Sequence, residues 1–165
     1  MLNFENIDER FIEVVHSVAW KDLQSKYNKC NDIYVLGHGG NMGVRLSNGT
    51  KNAICPGSCI VATSLINDTS FDHWMVSWLQ QRTSTRTKTQ MKKSLVYGIS
   101  SSGKSKDVNK ALQWASDNGM ETCLITAKPI TEKIEGLTQV VLGVDYYHTA
   151  CLSLLLQYQL THGSG

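Results

Sequence analysis

The stretch from Leu95 to Asp107 passes from a short apolar strand, through a loop of serine and glycine, into the start of a helix. A strand that turns this sharply into a helix belongs to a sheet with helices laid over it, and the turn itself has a definite chemistry. Backbone N–H groups at a helix N-terminus carry partial positive charge and lack partners within the helix, so the loop is suited to an anion. Ser100, Ser101, Ser102 and Ser105 add hydroxyl donors, while Gly98 and Gly103 let the backbone approach a ligand closely. Phosphate is the guest such a loop suits.

The same residues satisfy a second pattern. Gly98 to Ser105 matches the G-x-x-x-x-G-K-[ST] signature of a nucleotide-binding P-loop. In that reading Lys104 reaches the β- and γ-phosphates, Ser105 holds Mg²⁺, and Asp145, at the end of the apolar run Val140–Val144, completes the metal site. The loop comes late in the chain, however, and leaves little sequence after it for an NTPase core. An earlier strand also carries a glycine turn of its own. The NTPase is therefore the lesser alternative.

Read in order, the chain alternates helix and strand. Apolar positions at Ile7, Phe11, Val14, Val15, Val18 and Leu23 have a helical period and predict a helix from Ile7 to about Lys26, capped by Asn6 or Asp8. Asp32–Leu36 is a strand without polar interruption, as in a parallel sheet covered on both faces. It ends in Gly37-His38-Gly39-Gly40-Asn41, a turn of the kind that marks the ligand-binding edge of a parallel sheet. Val44 to Ala53 is a poor helix, and Cys59–Ala62 reads as the second strand. Phe71 to Gln81 carries Phe71, Trp74, Met75, Trp78 and Leu79 at helical spacing, a stripe expected to be core or subunit contact, with Asp68, Asp72 and His73 nearby. Asp107–Asn118 is a helix closed by Gly119, Glu121–Thr126 and Thr138–Leu142 are strands, and a Leu-rich helix runs from about Asp145 through Leu160. The fold class is α/β: a three-layer α/β/α sandwich around a parallel sheet.

Composition narrows the function. The 165 residues make one domain, with 41% apolar and 18% charged residues and a formal net charge of +2. That charge does not call for nucleic acid. The basic run Arg82–Lys93 has no aromatic residue to stack on bases and reads as a solvated linker or flap. No run approaches the roughly eighteen apolar residues of a membrane span, and the acidic N-terminus is unlike a signal peptide. Five cysteines, an odd number, fit reduced thiols in the cytoplasm; Cys55 and Cys59 lack the second pair that a zinc site needs.

With both glycine turns placed, the chain resembles the sugar isomerase (SIS) domain family over nearly its whole length, and within it the phosphoheptose isomerases. The resemblance rests on Gly37-His-Gly-Gly-Asn41, against G-N-G-G-S in the family, and on Gly98-Ile-Ser-Ser-Ser-Gly-Lys-Ser105, against G-I-S-x-S-G-x-S. Ala111–Ala115 through Gly119 and Met120, with the strand that follows, extends it. The resemblance implies one SIS domain over 1–165 with a fold of Rossmann or flavodoxin type. It implies that Ser100, Ser101, Ser102 and Ser105 grip the phosphate of a sugar phosphate and that Gly39, Gly40 and Asn41 contact the rest of it. It also implies a homodimer or homotetramer, as do the apolar last helix and the aromatic helix from Phe71 to Gln81.

The departures bear on mechanism. The family carries a histidine and a glutamate on the helix after the first turn, as metal ligands and catalytic base. Counted from Asn41, those positions fall near Ser47 and Lys51. The family's glutamine and histidine of the last helix align with Asp145 and Ser153, with His148 nearby. The zinc site is not reproduced, so neither metal nor cofactor is expected. Aldose–ketose isomerisation needs a base beside a carbonyl and an acid for its oxygen. His38, in the first turn, is the first candidate; Asp145 and His148, spaced to share a helix face, form a second, with His73 further off. The expectation is a sugar-phosphate isomerase, with a non-catalytic phosphosugar-binding protein as the alternative.

Overall fold

The computed structural model describes residues 6–43 and 51–163. Its centre is one all-parallel sheet of five strands: β1 (Asp32–Gly37), β2 (Asn52–Ile54), β3 (Ser94–Ile99), β4 (Glu121–Thr126) and β5 (Leu137–Val141). The order β2-β1-β3-β4-β5 means that the chain leaves β1 outward to β2 and then returns to the other side of β1 for β3. The register pairs Asp32 with Ser94 and Gly37 with Ile99, so β1 and β3 end level with each other. The connections leaving two such strands diverge to opposite faces and open a crevice between their carboxyl ends. The site described below lies there.

Both faces are covered, which is why β1 and β3 are apolar without alternation. Alternate residues Ile33, Val35, Leu95, Tyr97, Ile99, Cys123 and Ile125 meet α1 (Ile7–His16), α2 (Val18–Lys29) and α8 (His148–His162). Tyr34, Leu36, Val96 and Leu124 face the other way, onto α4 (Cys59–Asp68), α5 (Trp74–Thr83) and α7 (Lys106–Asp117). Two short turns of helix, α3 (Gly40–Gly43) and α6 (Lys88–Met91), complete the chain. The expected α/β/α sandwich is what the structure has. Helix α7 ends as its sequence predicts. Gly119, at φ +75°, donates to Ser116 O, and Met120 donates to Ala115 O, the paired bonds of a Schellman turn.

Four expectations need correction. The first helix is two helices, because Ser17 is extended (φ −69°, ψ 152°) and its hydroxyl accepts from the Trp20 N–H at 3.1 Å, capping α2. Cys59–Ala62 is the first turn of α4, not a strand; four apolar residues fit either period, and the second strand is 52–54 instead. The closing helix starts at His148 rather than Asp145. The basic run is mostly exposed, as a solvated linker is, but it is ordered rather than a flap. It holds the last turn of α5 and α6, the latter closed by a Thr87–Gln90 capping box, and Arg86 pairs with Asp32 at 3.2 Å. The expected poor helix of Val44–Ala53 lies mostly outside the described residues; its end, from Asn52, is β2.

Gly98 sits within β3, paired with Leu36 and Leu124, and α7 passes close above it. A Cβ there would come within 2.6 Å of Val108 Cγ1 and 3.2 Å of Leu124 Cδ1. The first glycine of the P-loop pattern is therefore a strand residue that admits a helix, not part of a phosphate-wrapping loop. Gly98→Ala is expected to lower stability by about 1–3 kcal/mol in urea denaturation, as overpacking does. Val108→Ala in the same chain should recover part of that loss, and a fully additive loss would count against this contact.

Candidate functional site

The loop Ser100–Ser105 joins β3 directly to α7 and is tied down from several sides. Ser100 N–H extends the sheet to Ile125 O at 3.0 Å, and Gly103, at φ +66°, turns the chain back with its N–H on Ser100 O at 3.1 Å. A Cβ on Gly103 would overlap Ile130, so the turn needs glycine twice over. Ser100 and Ser105 share a hydroxyl–hydroxyl bond of 2.9 Å, and Ser102 Oγ accepts from Lys104 N–H at 3.1 Å. From behind, Asn109 of α7 donates to Gly103 O at 3.0 Å and to the Glu132 carboxylate at 2.9 Å. The first turn reaches the same loop: Asn41 Nδ2 donates to Ser101 Oγ at 3.3 Å. Gly39 makes that turn possible with φ +53°, and Gly40 lies against Ala150 of α8. Serine hydroxyls and the amino end of α7 thus converge at the β1–β3 crevice, an arrangement able to receive a phosphate.

His38 stands across the crevice, at the end of β1. Its Nε2 is 2.8 Å from Oδ2 of Asp107, a fully buried carboxylate in the first turn of α7. The same Oδ2 accepts from Trp74 Nε1–H at 2.8 Å, and Oδ1 accepts from the Val108 N–H at 3.0 Å. The imidazole lies nearly parallel to the Phe71 ring, with centroids 5.9 Å apart, and is tilted to Trp74 at 6.3 Å. The hydrogen bond to Asp107 raises the pKa of His38 above the usual histidine value and outweighs the opposing effect of burial. A histidine held by a buried carboxylate beside the serine loop is equipped to move a proton.

Sequence reasoning passed over three of these residues. Asp107 looks like an ordinary acidic residue opening a helix, and Trp74 and Phe71 look like part of a core stripe. Trp74, Met75, Trp78 and Leu79 are indeed core, but Trp74 also serves the site and Phe71 is largely exposed beside His38. The one available signal is that Asp107 is followed by Val108, Ala111, Leu112 and Ala115, the inward face on which an acidic residue needs a partner.

The second candidate pair lies elsewhere on the same edge. Asp145 and His148 line a cavity of about 540 Å³ with Asn6, Arg10, Lys128 and Gly143, beyond the carboxyl ends of β4 and β5. Asp145 precedes α8, and its carbonyl accepts the His148 N–H at 3.0 Å, so the two do not share a helix face as the spacing predicted. Backbone bonds from Ala127 N–H to Ser101 O (3.3 Å) and Gly143 N–H to Ala127 O (2.9 Å) link this cavity's rim to the serine loop. As a metal partner for Ser105, Asp145 is displaced by an intervening strand, since β4 separates β3 from β5. His73 is on the surface, between Ser70 Oγ (2.9 Å) and Lys110 Nζ (3.3 Å), with Asp72 on the same lysine at 3.5 Å.

Lys51, counted onto the family's catalytic glutamate, is at the opposite edge of the sheet, where Asn52 pairs with Asp32. Its ammonium donates to Cys30 O at 2.8 Å, Asn28 O at 3.1 Å and Tyr27 O, closing the carboxyl end of α2. Ser47 lies outside the described residues. Among the described residues no three His, Cys, Asp or Glu side chains gather closely enough to hold a metal ion.

No protein-family model matches the sequence and no curated protein matches it. Solved structures do match. The chain superimposes on the phosphoheptose isomerase GmhA of Neisseria gonorrhoeae with a TM-score of 0.66 at 19% identity, over 95% of this chain and 88% of that one. A phosphoheptose isomerase of Francisella tularensis gives 0.68 at 17% identity, over 96% and 92%. The sugar isomerase domain of the RpiR transcription factor of Sphaerobacter thermophilus gives 0.56 at 15% identity, over 95% and 86%. The chain has the SIS fold. Within this SIS fold the His38–Asp107 pair is expected to leave a mark on stability. A histidine whose pKa is raised on folding stabilises fully below its unfolded value, and that stabilisation is lost as pH rises through the folded value. The melting temperature of the parent protein should therefore fall relative to His38→Asn as pH rises from about 6 through neutrality. Parallel curves for the two proteins would mean that the pair contributes nothing.

Proposed function

We propose that this protein binds a sugar phosphate at the carboxyl edge of β1 and β3 and interconverts its aldose and ketose forms. The observation that carries this is the meeting of the serine loop with the His38–Asp107 pair in one crevice. Ser100, Ser101, Ser102 and Ser105, with the amino end of α7, receive the phosphate; Gly39, Gly40 and Asn41 line the path to the sugar. The phosphoheptose isomerases that share the fold support a phosphosugar as the ligand class.

The reaction requires little machinery. A base removes the proton from the hydroxyl-bearing carbon beside the carbonyl, and the C–H electron pair becomes the C=C bond of an enediol as the carbonyl oxygen gains a proton. Returning the carbon proton to the neighbouring carbon, while the other hydroxyl gives up its own, yields the isomer. His38 is the group we assign to the carbon proton. Asp145 and His148, in the cavity whose rim is joined to the serine loop through Ala127, are the pair we assign to the oxygen protons. No cofactor or nucleic-acid surface enters this reading, and no helix among the described residues is long and apolar enough to cross a membrane. Exposed Leu155 and Tyr158 on α8, with Tyr147 just before it, support assembly into a dimer or tetramer, and the buried thiols of Cys30 and Cys123 support a cytoplasmic setting.

One observation favours a second reading, binding without turnover. Lys51 caps a helix at the far edge of the sheet, so the counted position of the family's base supplies none, and the RpiR transcription factor carries a sugar isomerase domain too.

A thermal-shift panel of heptose, hexose and pentose phosphates beside ATP–Mg²⁺ tests the site. A ligand at ~100 times its Kd adds roughly 2.7 kcal/mol of stability. One sugar phosphate is expected to stabilise the parent protein and Lys104→Ala but not Ser102→Ala. Stabilisation by ATP–Mg²⁺ alone, lost in Lys104→Ala, would overturn the proposal. Incorporation of solvent deuterium into the bound sugar then separates the two readings, since only an isomerase forms the enediol.

A further inference from the structure

Asp107 has no exposure to solvent, yet three groups from three separate parts of the chain lie within hydrogen-bond distance of its carboxyl oxygens. The Val108 N–H occupies Oδ1, and Trp74 Nε1–H and His38 Nε2 share Oδ2. A backbone amide and an indole can only donate, so both oxygens accept, and the ionised carboxylate is favoured over the acid, whose O–H would have to share Oδ2 with the indole. His38 Nε2 must then carry a proton, because an unprotonated nitrogen would face a carboxylate oxygen lone pair to lone pair. In the neutral imidazole that leaves Nδ1 bare.

We propose that Asp107 is a positioning residue that locks His38 as the Nε2–H tautomer and so makes Nδ1 the nitrogen that takes and returns the substrate's carbon proton. The inference deepens the isomerase reading and rests on it for its catalytic part. When Nδ1 takes the proton, the imidazolium that forms lies against the Asp107 carboxylate, which stabilises it; when Nδ1 returns the proton, the starting tautomer is restored. Trp74 keeps Oδ2 aimed at His38 from the side, and Phe71 covers one face of the ring. Asp107, from α7, is the charged group acting on the imidazole, while the two flanking rings from the α5 side carry no charge.

The test reads His38 directly, by ¹⁵N–¹H spectra of the intact protein labelled at histidine, with His38→Asn used for assignment. The Nε2–H pattern is expected below half-protonation, with a midpoint above that of an exposed histidine. In Asp107→Asn, whose amide can turn either its oxygen or its nitrogen to the ring, mixed tautomers and a lower midpoint are expected. An Nδ1–H tautomer in the parent protein, or an unchanged His38 spectrum in a folded Asp107→Asn, would overturn the inference. The parent spectrum decides the matter even if that variant fails to fold. With a substrate in hand, Asp107→Asn should lower kcat about a hundredfold or more with KM little changed, as loss of the correct tautomer does elsewhere. An equal rise in KM at constant kcat would assign Asp107 to binding instead and overturn its positioning role. If no sugar phosphate exchanges its proton, the isomerase reading fails while the tautomer measurement still stands.

Discussion

The close approach of α7 to β3 governs the arrangement of the sheet's carboxyl edge. Val108 occupies the space that any side chain at residue 98 would need, so the helix lies directly on the strand. That contact leaves only Ser100–Ser105 to turn the chain from sheet to helix. The loop is therefore short, its serines bond to one another and to the first turn, and the amino end of α7 is delivered to the crevice at a set height. The level ending of β1 and β3 brings His38 to that height from the other strand.

The same approach buries Asp107. Taking a carboxylate out of water costs several kcal/mol unless donors replace the lost hydration, and removing one partner of a buried charged group is correspondingly expensive. The structure supplies three donors, one from α7 itself, one from α5 and one from the turn after β1. One buried carboxylate thus binds helix to helix and helix to strand end. Positioning of the imidazole and cohesion of the fold are the same set of hydrogen bonds here, which is why the site is made of core residues as much as surface ones.

The far edge of the sheet follows a different logic. Lys51 closes the last carbonyls of α2, and Lys26 reaches across to Thr122 O at 3.2 Å and Gly136 O at 2.7 Å. Both ammonium groups satisfy backbone acceptors where helix and strand ends meet, so their charges hold the scaffold together at the edge away from the crevice. Burial pushes the Cys30 thiol up to about 11 and the Cys123 thiol up to about 12, which keeps both protonated and inert within the core.

The sequence by itself determined the layers and the serine-glycine turn between β3 and α7. The apolar runs Ile33–Leu36 and Leu95–Tyr97, partly β-branched or aromatic and each followed by glycine, read as strands covered on both faces, and glycine at 39, 103 and 119 marks turns that need a positive φ. These features are local, and a local pattern suffices to read them. Cys59–Ala62 was not legible, because four apolar residues carry no period. Only the tertiary structure decided that His38 pairs with Asp107, that Trp74 leaves the core stripe to donate to it, and that Asp145 and His148 line a separate cavity. Those contacts join residues distant in the chain through side-chain direction, and direction is set by helix packing on the sheet rather than by spacing in the sequence.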